Sequence, residues 1–542
     1  MTVRVGFLGG LGEIGRNCAL VDVAGDLALL DCGLMFPEVD MLGVDLVLPD
    51  FSSVIERRDD VRCVILTHGH EDHIGSLAYF LREVNVPVYG SALTIALAGS
   101  RVEEVGVDAD LRAVEPLEWV EEGSIKFALV HVAHSVPQAT GVVFETPEGT
   151  IVHSGDFKLD PTPIDGKPTD LATFAGFGRR GVRLLLGDST NAEVPGFVPS
   201  EATVGKPLAE FVARADGRVI LACFASHVHR VQQAINAVAA SGRKLAFLGR
   251  SMLRVTAIAA ELDALDIPKN LVVSLDELAE LPPEQTAIIC TGSQGEPFAA
   301  LSLMASGNHR SITLEPTDTV ILSATPIPGN ETAVSRVINN LSRLGVTVHH
   351  GRNAPVHVSG HAAREEVRTF INVIKPSAFV PVHGEYRHMR ANADLAREVG
   401  VPEVEICQDG DMLVLRNGKL SIERGALPAG YVYLDGSGIG DVEEVLRDRR
   451  HLADDGVLIV AVGYEISSGD IVFGPDVYSH GVSDEPDALH VAVAERVIQT
   501  LAGLDVPSDL DTVRRKVRTA GARAVKKALN RQPVVFPVLI EV

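Results

Sequence analysis

The sequence predicts an α/β protein in three parts: a strand-rich part, a second α/β unit after it, and a small α/β unit at the C-terminal end. Three observations predict this. The chain has 542 residues, which at roughly 100–200 residues per domain fits about three domains. The first third reads as short apolar runs broken by turn residues, and from about residue 203 helical stretches alternate with strands. From about residue 456 a separate strand–helix–helix–strand pattern appears.

In order along the chain, VRVGFLG, NCALVDV and LALLDCG read as strands, the last two joined by the turn Ala24-Gly25-Asp26. VRCVILT (61–67) has the composition of a buried strand, and the apolar spacing of IGSLAYFLREV (74–84) predicts a helix. Strands recur at FALVHVA, GVVFETP, GTIVHSGD and VRLLLGDST. Beyond them the helical stretches VGKPLAEFVARA, RVQQAINAVAASG and AVSRVINNLSRLG alternate with the strands RVILACF, KLAFLG, TAIICTG and TVILSATP. That alternation predicts a parallel sheet. After FVPVHG and a Gly-rich stretch, YVYLDGSGIGD (431–441), come GVLIVAVGYE, an amphipathic helix near 488–503, a basic helix near 511–530, and a final strand, VVFPVLIEV. No internal repeat or low-complexity tract interrupts the pattern.

Composition narrows the class. Hydrophobic residues are 46% and charged residues 22%, values of a globular chain with little room for long disorder. No apolar run approaches the ~18 residues of a membrane helix. The opening residues have no signal-peptide h-region or small-residue cleavage site. The six cysteines are scattered, with no C-x-x-C, which argues against a disulfide framework and fits a reducing cytoplasm.

The formal charge of −24 speaks against a polyanionic partner, but it is unevenly spread. Residues 202–361 carry 13 basic and 13 acidic side chains. Within 206–254 there are 8 basic residues against Glu210 and Asp216, and 514–531 carries 8 basic residues and no acid. Two such islands can bind phosphates locally, or can be solvated helix faces.

Gly10-x-Gly12-x-x-Gly15 matches a dinucleotide fingerprint, which requires a helix to open there. Two β-type runs follow instead, so no helix N-terminus is expected for a pyrophosphate. The stronger signal is THGHEDHIGS (67–76). His68, His70, Asp72 and His73 lie within six positions, directly after a buried strand. Imidazole and carboxylate suit zinc and similar divalent ions. An ordinary polar turn would carry one histidine rather than three and an acid. His68 and His70 can serve one ion while Asp72 and His73 serve a second.

H-x-H-x-D-H resembles the signature of the metallo-β-lactamase fold. The further strings LGGLGEIGRN (8–17), MFPE (35–38), GDFKLDPTP (155–163), GDSTNAE (187–193), SATPIPGNE (323–331), HVSGH (357–361) and PVHGEY (381–386) are similar to the β-CASP branch, most closely to bacterial ribonuclease J. The resemblance implies an αββα sandwich with an inserted β-CASP domain and a small C-terminal α/β domain. The expected boundaries are 1–201 and 361–440 for the sandwich, 202–360 for the insertion, 441–455 for a linker and 456–542 for the last domain.

It also implies two divalent ions per subunit, with His68, His70 and His134 on the first, Asp72, His73 and His383 on the second, and Asp156 between them. Zinc suits these ligands and manganese is compatible. Such ions activate water as hydroxide for attack on a phosphodiester and stabilise the attacking and leaving oxygens. Asp31 is expected to orient a ligand imidazole. By the same resemblance, His361 is the proton donor and Asp188 orients a catalytic histidine or loop. His357, Ser359, Gly360, Ser226, His227 and Arg230 are expected at RNA phosphates, and Phe36 under a nucleobase.

The activity implied is that of a 5′-to-3′ exoribonuclease with endonuclease action on single-stranded RNA, serving mRNA decay and rRNA maturation. The implied setting is a cytoplasmic homodimer or homotetramer, with other RNA-decay proteins as partners and no membrane. The rival readings are a DNA-acting β-CASP nuclease, a small-molecule hydrolase of the same fold, and a non-enzymatic RNA-binding protein. The large insertion argues against a small substrate, and the filled ligand positions argue against a degenerate binder.

Overall fold

The computed structural model describes all residues except Met1, Val39, Asp40, Pro328, Ser437, Asp441, Val442 and Val542. Pro328 falls in the SATPIPGNE string and Ser437 and Asp441 in the Gly-rich stretch, so those positions lie outside the described residues. The chain divides into two compact units, Met1–Phe36 with Leu46–Val432, and Pro37–Asp45 with Tyr433–Val542.

In the larger unit two sheets face each other. One runs in the order Lys419–Glu423, Met412–Arg416, Thr2–Gly9, Cys18–Val23, Asp26–Leu30, Val61–Ile65, Val88–Gly90, Leu111–Ala113. The other runs Glu403–Val404, Ala378–Val382, Val182–Asp188, Gly149–His153, Thr140–Thr146, Ile125–His131, Trp119–Glu122. Alternate residues of both sheets, among them Val5, Ala28, Ile65, Phe127, Val142 and Leu184, close one buried cluster between them. The opposite faces carry helices, so central strands such as Cys18–Val23 are buried along their whole length. This is the αββα sandwich expected.

The insertion builds a separate five-stranded sheet, ordered Lys244–Leu248, Thr286–Cys290, Val219–Ala222, Thr319–Leu322, Thr347–His350. Every pairing in it is parallel, as the helix–strand alternation predicts.

In the smaller unit Val457–Tyr464 pairs antiparallel with Ile471–His480 and parallel with Val534–Glu541. The terminal apolar strand thus completes its own sheet. Helix Pro486–Leu501 repeats Leu489, Val493, Val497 and Leu501 at a spacing of four, and these are its buried residues. Helix Leu510–Leu529 starts at Asp509, whose side chain accepts from Thr512 N at 2.8 Å, and ends at Asn530 in the left-handed region. It buries Val513, Val517, Ala520, Gly521 and Val525.

The stretch expected to be a linker instead holds the helix Glu443–Asp455. Leu446 is buried, and Asp455 Oδ2 accepts from Gln532 N at 2.9 Å, so the helix belongs to this unit. Its acid-rich polar face conceals it in the sequence. Among the described residues, no helix is long and apolar enough to cross a membrane.

Candidate metal centre

Gly149–His153, Val182–Asp188 and Ala378–Val382 lie side by side and parallel, with His153 opposite Leu186 and Asp188 opposite Val382. Their C-terminal ends therefore deliver Asp156, Asp188 and His383 to one edge. Asp26–Leu30 and Val61–Ile65, parallel in the facing sheet, deliver Asp31 and the H-x-H-x-D-H turn to the same place. His70, in extended backbone, immediately precedes the short helix Glu71–Ile74, which carries Asp72 and His73. Gly33 is required beside it, since a Cβ there would stand 1.6 Å from the Asp72 carbonyl oxygen.

The side chains converge. His70 Nδ1 is 3.0 Å from His68 Nε2 and 3.3 Å from His134 Nε2. Asp156 Oδ2 is 3.6 Å from His68 Nε2, 3.2 Å from His73 Nε2 and 3.5 Å from His383 Nε2. Asp72 Oδ2 is 3.4 Å from His383 Nε2 and 3.6 Å from His73 Nε2. Potential ligand atoms of His68, His70, His134 and Asp156 fall within 4.8 Å of one another, as do those of Asp72, His73 and His383, and those of Asp156, Asp188, His361 and His383.

The electrostatics fit divalent cations. Burial pushes His68 and His134 well below the usual imidazole range and His70 down to about 4, so these rings are neutral and offer lone pairs. For His73 burial opposes the charge, but Asp156, Asp31 and Asp72 outweigh it and hold the group high. For Asp156 burial is likewise outweighed, by His383, His73 and His68, and its carboxyl stays ionised. The neutral rings of His68, His70 and His134 with the ionised Asp156 form a donor set for a divalent ion, while His73 and His383, the latter raised to about 9 by Asp156, Asp72 and Asp188 against burial, would bind a cation in place of a proton.

The far ring nitrogens are held from behind, which fixes each imidazole. His73 Nδ1 donates to Asp31 Oδ2 at 2.8 Å, and Asp31 accepts from Thr67 N at 2.7 Å and from the Thr67 hydroxyl. His134 Nδ1 donates to the Gly360 carbonyl at 2.9 Å. The Thr190 hydroxyl lies 2.6 Å from His383 Nδ1 and donates to Asp188 Oδ1 at 2.9 Å. Asn17 Nδ2 donates to the Asp72 carbonyl at 3.1 Å. Asp31 and His383 both adopt a left-handed backbone, φ 60° and 54°, a strain that persists only where surrounding bonds over-determine it. His361 Nδ1 is 2.9 Å from Asp188 Oδ2, and its backbone N–H donates to Ser359 Oγ at 3.1 Å.

The residues expected at RNA divide. Ser359 and Gly360 abut His361 and His134. Phe36 is 60% exposed. Ser226 is half-buried. His227 and His357 face each other, ring centroids 6.1 Å apart. His357 Nδ1 is buried with no hydrogen-bond partner among the described residues, while the buried His227 Nε2 and the nearby Lys158 Nζ stand 3.5 Å from Glu201 Oε1 and 3.4 Å from Asp160 Oδ2.

Arg230 differs from its expected place at a phosphate. It is fully buried, with Nε and Nη2 on Glu201 Oε1 at 2.9 and 2.7 Å and Nη1 on the Val356 carbonyl at 2.6 Å. Its donors are consumed inside the protein, because a buried Glu201 needs them. Thr190, Asn17, Thr67 and Lys158 escaped the sequence reading. All four stand within motif strings, Asn17 in LGGLGEIGRN, Thr67 in THGHEDHIGS, Lys158 in GDFKLDPTP and Thr190 in GDSTNAE, but nothing in those strings marks them out from their neighbours. The glycine loop at 10–15 opens no helix: Leu11–Gly12 pairs in parallel with Gly384–Glu385, the two residues after His383.

Comparison with known proteins gives four family matches: the metallo-β-lactamase superfamily over 11–194, the ribonuclease J β-CASP domain over 216–341, the Zn-dependent metallo-hydrolase RNA specificity domain over 346–406, and the ribonuclease J C-terminal domain over 444–542. Ribonuclease J of Mycobacterium tuberculosis is 42% identical over 100% of this chain and 97% of its own length. Ribonuclease J of Thermus thermophilus is 41% identical over 98% of this chain and 94% of its own. Ribonuclease J 1 of Streptococcus pyogenes is 38% identical over 99% and 97%. A protein of unknown function from Enterococcus faecalis shares the fold over 77% of this chain and all of its own, with TM-score 0.53 and 17% identity.

Proposed function

The chain belongs to the ribonuclease J family, and from that premise we propose that it is a metal-dependent ribonuclease whose cleavage centre is the histidine–aspartate cluster around Asp156. The observation that carries the assignment is the position of Asp156 Oδ2, within 3.2–3.6 Å of imidazole nitrogens from both halves of the cluster. His68, His70 and His134 would hold one divalent ion, Asp72, His73 and His383 the other, and Asp156 is placed to serve both. When bound, such a pair lowers the pKa of water and stabilises the attacking and leaving oxygens of an in-line phosphoryl displacement. Zinc matches the imidazole-rich half, and manganese is compatible with the carboxylates of the other.

The chain's own groups do the rest. Asp188 accepts from His361 Nδ1, which leaves Nε2 to carry a proton to the departing 3′ oxygen. Ser359 holds the backbone of that loop. His227, His357 and Ser226, with Lys158 beside them, meet phosphate oxygens of the strand, and Phe36 stacks under a base. Arg230 supports this wall from inside through Glu201.

The substrate is single-stranded RNA, taken in the 5′-to-3′ direction with some internal cleavage, in mRNA decay and rRNA maturation. The working form is a cytoplasmic homodimer or homotetramer. The test is hydrolysis of labelled RNA bearing a 5′-phosphate, 5′-triphosphate or 5′-hydroxyl, beside a DNA control, with chelator and after metal return. RNA-selective cleavage, abolished by chelator and restored by metal, supports the reading. Cleavage indifferent to chelator removes it.

A further inference from the structure

The two basic islands of this acidic chain have different fates. In 206–254 the charges are largely used internally: Arg230 on Glu201, Arg243 on the carbonyls of Ala215 and Gly217, Arg254 on Glu104, and Arg218 beside Asp318. In the C-terminal island they are not. Helix Leu510–Leu529 spends its apolar residues on its own sheet and turns the basic ones outward. Arg514 pairs with Asp511. Among the described residues, no carboxylate pairs with Arg496, Lys516 or Arg523.

These three cations meet in one place. A cavity of about 220 Å³ lies between helices Pro486–Leu501 and Leu510–Leu529, lined by Arg496 and Thr500 from the first and by Arg515, Lys516, Thr519 and Arg523 from the second. Among the described residues, no acidic side chain lines it. The volume is several times the ≈ 30 Å³ share of a water molecule, enough for a phosphate group with its solvent. Guanidinium, ammonium and hydroxyl donors without an acceptor of negative charge form an anion site.

We propose that this cleft is a phosphate-binding site for the backbone of single-stranded RNA, a second contact for the strand on the C-terminal unit, separate from the cleavage centre. The proposal rests on the ribonuclease reading for its ligand. The cations do not stop at the cavity. Lys516, Arg523 and Lys527 stand at positions i, i+7 and i+11 of the helix, one continuous stripe about 16 Å long at 1.5 Å per residue. A stripe matches successive phosphates of a strand better than one free anion. The cavity is lined by no aromatic ring and no amide side chain, so the contact is indifferent to sequence.

The experiment uses the full chain with Lys516→Gln and Arg523→Gln combined, and Arg514→Gln as a cation on the same helix outside the cavity. Both variants change exposed residues, and unchanged melting curves establish that they fold. Binding of a long, non-hydrolysable phosphorothioate RNA is measured over a salt series, together with hydrolysis of a very short oligonucleotide. The double variant should bind long RNA more weakly, with a log–log salt slope flatter by about 1.4, roughly 0.7 for each lost phosphate contact. Arg514→Gln should keep the slope, and short-substrate hydrolysis should match the parent in both. An unchanged slope in the double variant overturns the proposal, as does equal flattening by Arg514→Gln. Competition by inorganic phosphate without any loss of long-RNA binding in the double variant also overturns it, in favour of a free-anion site. Failure of the parent itself to cleave the short RNA would instead defeat the ribonuclease reading.

Discussion

His361 Nδ1 lies 2.9 Å from Asp188 Oδ2, and the other oxygen of the same carboxylate accepts from the hydroxyl of Thr190, which touches His383. One buried carboxylate thus sets the orientation of two histidines, to which the proposed mechanism gives different work, one on a metal ion and one on a proton. His361→Ala should retain bound metal and slow RNA cleavage by roughly 10²–10⁴-fold, the usual worth of a general acid. Metal content and turnover measured on the same preparation check this. Loss of an ion would make His361 a ligand, a role its place beside Asp156, Asp188 and His383 permits.

Asp31 acts behind His73, accepting its Nδ1–H while anchored by Thr67. Asp31→Asn keeps the shape and tolerates the left-handed backbone, but removes the charge. It should weaken metal binding about 10–100-fold, and excess metal should restore much of the cleavage rate. A titration of activity against free metal reads the shift.

Arg230 separates two accounts of one residue. If its role is to neutralise Glu201 in the interior, Arg230→Met leaves a buried carboxylate unpaired and costs about 3–5 kcal/mol of stability. The salt dependence of RNA binding should then match the parent under conditions where both are folded. A stable variant with a flatter salt slope would return Arg230 to the phosphate-contact role.

How much of this was legible in the sequence varied with the kind of signal. The H-x-H-x-D-H turn could be read from its residues alone, because four candidate ligands, three histidines and an aspartate, stand together after a buried strand. His134, Asp156 and His383 are singletons at strand ends. Only their order in a family pattern picked them out, since nothing local distinguishes them from other buried polar residues. Arg230 misled because charge in a sequence does not say which side of a helix faces the interior. Thr67, Thr190 and Asn17 stand inside the motif strings, yet nothing there marks their role: hydroxyls and amides are common, and their value here lies in direction. The strands of the first third, the parallel sheet of the second unit and the final strand were legible from period and turns, whereas the sandwich and the insertion were expected only from the family resemblance. The helix Glu443–Asp455 was not, its few apolar residues being outnumbered by charges.

Asp409 offers a pH test at a group outside the proposed metal ligands. Its carboxylate accepts from Leu11 N at 3.0 Å and lies 3.2 Å from Arg16 Nη2. Burial and the nearby Glu13 push it up to about 7 against the pull of Arg16. The folded protein then holds this proton more tightly than the unfolded chain, whose aspartates titrate near 3.9. Its contribution to stability is therefore full below about pH 4 and is lost as pH rises through about 7. Asp409→Asn keeps an acceptor for Leu11 without the charge, so its melting temperature should gain on the parent's as pH rises from about 5 to 8. A constant difference would contradict the assignment.

The central claim is that one carboxylate, Asp156, serves both halves of a metal centre that cleaves RNA. The direct measurement is metal content and turnover of end-labelled single-stranded RNA by purified Asp156→Ala protein, beside the parent. The account predicts a folded protein that has lost bound metal and has no detectable cleavage, because the activated water and the stabilised phosphoryl oxygens depend on the same side chain. Undiminished cleavage by metal-depleted Asp156→Ala protein would contradict it.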